Sequence, residues 1–175
     1  MLFKYIYCHS IYSRIDLYSS RATTHYMYSD ILLSTDGTVA SEQAESHAID
    51  LAATHDATLH ALYVVDEKVV NAYSGDEYVD EAEGPEHGLE EHGEETLSSL
   101  RSQANTQNVQ IVDAIRHGRP DETIIQHADD NAVDLIVLGT KRQPDEYRAL
   151  LGSVTDRVLR LATQPVTVVK TETSD

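Results

Sequence analysis

The chain has 175 residues, 13 basic and 30 acidic side chains, and a formal net charge of −17. Hydrophobic residues make up 41%, enough for one packed core, and at about 150 residues a domain buries roughly 68–70% of its unfolded surface without a disulfide or metal staple. A single cysteine, Cys8, excludes an intramolecular disulfide and favours a cytoplasmic setting; the lack of an apolar run of roughly 18 residues argues against a membrane span, and the acidity argues against nucleic acid as a partner, because phosphate-backbone binding depends on clustered Lys and Arg.

Lysine occurs only at Lys4, Lys68, Lys141 and Lys170, Asp is about as common as Glu, and Trp is absent. The composition resembles that of halophilic, haloarchaeal-type proteins, in which salt screens the self-repulsion of a large charge.

Residues 1–26 differ from the rest. They carry Tyr5, Tyr7, Tyr12, Tyr18 and Tyr26, Cys8, and the sole Phe, and their charge is +2 from Lys4, Arg14 and Arg21 against Asp16. The stretch is too polar and too interrupted for a signal peptide. Met27 stands directly before the first strand pattern, so residues 1–26 are expected to be an atypical extension, and possession of a natural start at Met27 is the simplest account. Residues 27–172 are expected to form the domain.

Asp30–Ser34 reads as a buried strand, and Ser41–His55 as a helix with Ala44, Ala48, Leu51 and Ala52 at helical spacing. Thr58–Val65 is a second strand. Residues 66–88 read as a loop, with Gly75, Gly84, Pro85 and Gly88 and no apolar period. Leu89, Leu97, Leu100 and Ala104 mark a second helix. Val109–Ile115 is a third strand, and Gly118-Arg-Pro120 leads into a helix with Pro120 at its first position. Val133–Leu138 is a strongly apolar fourth strand ending at Gly139, with a loop after it. Leu151, Val154, Val158 and Leu161 share one helical face, and Val166–Val169 closes as a fifth strand.

Strands that alternate with helices imply parallel βαβ units with right-handed crossovers. Apolar rather than alternating strands imply a sheet covered on both faces. The expected fold is therefore a doubly wound, three-layer α/β/α sandwich, with any ligand beyond the carboxyl ends of the strands, where strand order reverses.

Residues 66–95 contain 12 acids and one base, a charge of −11, and read as a solvated loop and helix start. His87 and His92 are five apart, neither i,i+3 nor i,i+4, so as a pair they do not form a helical metal site. No Ser–His catalytic arrangement and no phosphate loop is present, so no catalytic residue is assigned.

Two stretches can carry chemistry. Asp36 follows the first strand, where its carboxylate can either accept from an adenine amino group or ribose hydroxyl, or cap the next helix. Gly139, and Gly152-Ser153 at the last helix start, can bring backbone N–H groups and a positive dipole end to a phosphate, or serve as an ordinary turn and cap.

The strings Asp134-Leu-Ile-Val-Leu-Gly139-Thr140, Leu151-Gly152-Ser153-Val154-Thr-Asp-Arg157-Val158-Leu159 and Pro165-Val166-Thr-Val-Val169 resemble the universal stress protein family. Asp30–Thr38 and Gly118-Arg-Pro120 fit that family's opening strand and third-helix turn. The resemblance implies a five-stranded parallel sheet of order 3-2-1-4-5 and a homodimer through the last strand. It implies a non-enzymatic binding or signalling module with a cleft for ATP or a related adenine nucleotide, and Mg²⁺ only with the nucleotide. By position, Asp36 and Leu59 would line the adenine and ribose side, and Gly139, Thr140, Gly152, Ser153 and Val154 the ribose and phosphates. The family's motif is Gly, two residues, Gly, nine residues, Gly and Ser or Thr, and Arg142 stands at its second glycine. Arg142 either blocks the backbone approach or contributes a phosphate-binding fork. A nucleotide-independent dimer with a cleft closed by Arg142, and a slow ATPase, are the alternatives.

Overall fold

The computed structural model describes residues 27–73, 85–142 and 152–172, with residues 71, 73, 85, 141, 142 and 172 described by backbone alone. The elements are β1 (Asp30–Thr35), α1 (Val39–His55), β2 (Thr58–Asp66), α2 (Glu67–Tyr73), α3 (Pro85–Thr106), β3 (Ile111–Gly118), α4 (Pro120–Asp130), β4 (Leu135–Arg142), α5 (Ser153–Leu161) and β5 (Val166–Glu172). The atypical stretch 1–26 lies outside the described residues.

Every strand pairing is parallel, and the sheet order is β3-β2-β1-β4-β5. The apolar strands divide residue by residue between two cores. Ile31 and Leu33 of β1, Leu59, Ala61, Tyr63 and Val65 of β2, and Leu135 and Val137 of β4 face α1 and α3, meeting Ala44, Ala48, Ala52, Leu97 and Leu100. Leu32, Leu62, Ile136 and Leu138 face the other way, against Ile124 and Ala128 of α4 and Val158 of α5. Alternation of side chains along a strand thus converts one apolar run into two buried faces. The three-layer doubly wound fold is as the alternating elements implied.

Three expectations change. Residues 66–88 are not loop throughout: Asp66 Oδ1 accepts from Lys68 N at 2.9 Å and opens α2, while α3 begins at Pro85 rather than Leu89. Asp at a helix entrance is a start signal that the missing apolar period hid. Residues 74–84 of that expected loop lie outside the described residues. Strand three is shifted to Ile111–Gly118. Strand four does not end at Gly139 but continues to Arg142, because Gly139, Thr140, Lys141 and Arg142 pair with Val169, Lys170, Thr171 and Glu172 of a longer β5. Pro120 does stand at the start of α4. Among the described residues no helix is long and apolar enough to cross a membrane.

Candidate functional site

The strand order reverses between β1, which connects outward to β2, and β4 on its other side. At the carboxyl ends of these two strands lies a cleft of about 770 Å³, within the usual range of roughly 300–1,000 Å³ for small-molecule sites. Asp36, Gly139, Thr140, Gly152, Ser153 and Val154 all line it. The tip of strand one and the entrance of the last helix therefore face one shared pocket.

The β1 side is built on a buried polar knot. Thr35 Oγ1 donates to Glu45 Oε1 at 2.5 Å and accepts from Gly37 N at 3.0 Å, and Ser41 Oγ donates to Thr38 O at 2.7 Å. These bonds fasten the turn after β1 to α1. Asp36 is exposed, and its Oδ1 accepts from Thr38 N at 3.0 Å and Thr38 Oγ1 at 2.8 Å. Both bonds fall on one carboxylate oxygen, an Asx turn that fixes the side chain. Gly37 has φ +69, where a side chain is strained, and a Cβ there would collide with Thr96 Oγ1 and His92 Nε2 of α3. His92 Nε2 donates to the Asp36 carbonyl at 3.3 Å in the tautomer that carries its proton.

Tyr63 packs edge-on to His92, with ring centroids 5.9 Å apart. Gly93 makes this approach of α3 possible: a Cβ would sit 2.7 Å from the Tyr63 ring. Burial, and secondarily the Asp36 carboxylate, push the Tyr63 phenol above its ordinary pKa, so it stays a neutral hydrogen-bond donor.

On the far wall, Gly152 is the N-cap residue of α5 and Ser153 its first residue. Gly152, Ser153, Val154 and Thr155 line the cleft, and the first N–H groups of a helix, which have no intrahelical partner, and its dipole favour an anion. Thr155 Oγ1 donates to Gly139 O at 3.4 Å and ties α5 to β4. Asp121 of α4, 5% exposed, meets Arg157 Nε at 2.8 Å and Arg119 at 3.3 Å. This clasp holds α4 and α5 together; a buried carboxylate needs such partners.

The motif glycines have different causes. A Cβ at Gly139 would lie 2.6 Å from Ala40 O and 2.8 Å from Ser41 Cα, so the backbone of α1 passes directly over it. Among the described residues a Cβ at Gly152 would meet nothing closer than Thr155 Oγ1 at 4.0 Å, and φ there is −62.

Leu59 is a correction. It is fully buried in the α1/α3 core, paired with Ile31 near the amino end of β1, and does not reach the cleft. Tyr63 and Val64 line the cleft instead, because Tyr63 pairs in register with Thr35 at the strand tip. Leu89, His92, Pro120 and Ile124 are further wall residues that the motifs did not mark. Arg142 ends β4 in extended backbone opposite Glu172, so its position has no need of glycine's left-handed freedom; its side chain, Pro144 and Asp145 lie outside the described residues.

Comparison with known proteins agrees with this architecture. The model of the universal stress protein family matches residues 27–170. Universal stress protein MJ0531 of Methanocaldococcus jannaschii is 37% identical over 82% of this chain and 83% of its own length. The solved structure of MJ0577, a universal stress protein of the same organism, is 28% identical, with a TM-score of 0.68 over 85% of this chain and 99% of that one. An Archaeoglobus fulgidus universal stress protein solved in complex with dAMP shares the fold at 18% identity, with a TM-score of 0.58 over 81% of this chain and 98% of that one. With its family model, its relatives and its strand order in agreement, the chain belongs to the universal stress protein family.

Proposed function

We propose that the chain is an adenine-nucleotide-binding module that acts by binding and signalling rather than by turnover. The carrying observation is Gly152. Neither its backbone angles nor its neighbours among the described residues require glycine, yet it opens a helix whose first residues line the cleft. Close approach of a phosphate explains the missing side chain.

Ser153 and the first N–H groups of α5 would then hold the phosphates, with Gly139 and Thr140 behind them and Val154 against the ribose. Asp36 Oδ2, which the Asx turn leaves for a ligand, would accept from the adenine amino group or a ribose hydroxyl. Val64 takes the apolar role expected of Leu59. Arg142 would reach the phosphates from the end of β4, and Mg²⁺ would enter with ATP as its counter-ion. The dAMP complex of the Archaeoglobus fulgidus neighbour supports the ligand class. β5 is an edge strand that pairs with β4 alone among the described strands, and Leu159 and Leu161 before it are exposed. Pairing of two copies through this edge, giving a cytoplasmic homodimer, fits that surface.

Calorimetry of the full chain with ATP and Mg²⁺ at high salt tests the reading. Saturable binding weakened at least about tenfold by Asp36→Ala is expected, in line with loss of a charged hydrogen-bond partner. Absence of binding by the unmodified chain defeats it and favours the nucleotide-independent dimer. Steady phosphate release lost in Asp36→Ala identifies a slow ATPase instead.

A further inference from the structure

At the end of β3, on the outer side of α3, His117 lies between two glutamates. Its Nδ1 is 3.2 Å from Glu86 Oε1 and its Nε2 is 2.9 Å from Glu90 Oε1. Glu86 and Glu90 are i,i+4 on α3 and share one helical face. One ligand atom from each of the three residues lies within 4.8 Å of the other two.

A neutral imidazole offers one N–H donor and one lone pair, and an ionised carboxylate only accepts. With a carboxylate against each ring nitrogen, one of the two contacts sets lone pair against lone pair. A cation on that nitrogen resolves the conflict. The choice is between a proton and a metal ion. The surrounding sequence favours the larger charge: residues 66–95 hold 12 acids against one base. The donors favour a metal as well. An imidazole nitrogen beside a carboxylate suits zinc and its neighbours better than magnesium, which prefers oxygen alone. The His87/His92 pair excluded by its spacing plays no part, since the imidazole comes from β3 and not from the helix.

We propose that His117 Nε2 and Glu90 hold a zinc-class divalent cation that fastens the start of α3 to the end of β3, with Glu86 accepting from the Nδ1–H and orienting the ring. Water fills the remaining coordination positions. The site stands apart from the nucleotide cleft and does not depend on the reading given for it.

The test uses the untagged full chain, freed of metal by a chelator, titrated with ZnCl₂ by calorimetry and with Co²⁺ by visible absorption. One saturable site per chain is expected. His117→Gln and Glu90→Gln should each weaken it at least about tenfold, since even outer-shell partners of a metal are worth about 10–100-fold. His87→Gln should leave it intact. Zinc should raise the melting temperature of the unmodified chain and not that of His117→Gln. Circular dichroism checks that the variants fold, and the exposure of these side chains favours that. Absence of saturable zinc uptake by the unmodified chain overturns the proposal and leaves a proton as the bridge. Uptake that persists in both variants also overturns it, as diffuse binding to the acidic surface.

Discussion

The two ends of the sheet use their polar side chains in different ways. At the amino ends of the strands the carboxylates are taken up by backbone N–H groups and by His60, while Nδ1 of His60 and of His127 is buried without a hydrogen-bond partner among the described residues. Asp134 Oδ2 accepts from Ser29 N at 2.7 Å and Asp30 N at 3.1 Å, and Asp30 Oδ1 meets His60 Nε2 at 3.0 Å. His127 packs edge-on against His60, and both imidazoles are 8% exposed. At the carboxyl ends, Asp36, Ser153 and the entrance of α5 face the open cleft. Polarity alone therefore does not mark a site; polar groups turned away from the rest of the chain do.

The strongest way to break this comparison is Gly139→Ala. The added methyl meets the α1 backbone at 2.6 Å, and backbone cannot rotate aside. A loss of about 1–3 kcal/mol is expected from overpacking, read as a lower urea midpoint at unchanged slope. A neutral result would show that α1 rides freely over β4.

The closed end can be probed by pH. Burial first, then Arg116 and His60, lower the His127 pKa, while Asp130 works against them. The folded chain then takes up a proton at this site less readily than the unfolded chain, whose histidine titrates near its ordinary 6.5. Stability from this group is complete above that value and is lost as pH falls from it through the folded-state pKa. Melting curves between pH 7.5 and 5 should fall more steeply for the unmodified chain than for His127→Gln. Parallel curves would show that the buried imidazole is not a source of acid sensitivity.

The smallest expected stability change sharpens the contrast most. Gly152→Ala adds a methyl that among the described residues meets only Thr155 Oγ1 at 4.0 Å, so the cost should stay within about 1 kcal/mol, the scale of a weakened helix cap. ATP affinity should nevertheless drop. Equal binding would remove the phosphate explanation for this glycine.

The sequence allowed the layers to be read because Ile31-Leu-Leu33 and Leu135-Ile-Val-Leu138 are apolar on both faces, which only a doubly covered sheet accommodates. Asp36 and Gly152-Ser153 were legible as a pair at strand and helix ends. Strand ends were less so. Apolarity stops at Leu138 while hydrogen bonding continues to Arg142, since pairing needs only backbone. The same blindness misplaced Leu59: a run of similar residues from Leu59 to Val65 does not reveal which lies level with Thr35. α2 was missed because seven residues show too little periodicity, although Asp66 carried its start signal. His117 could not be joined to Glu86 by spacing, because 31 positions separate them and only the packing of α3 against the sheet brings them together.

Gly37 sits beneath α3, with His92 and Thr96 closing the space above it. Engineers who wish to retune what the pocket admits therefore have little scope for lengthening the bend between β1 and α1. Insertions there would have to lift a 22-residue helix. Replacements along that helix's inner surface, at Leu89 and His92, offer the less disruptive route to altered selectivity.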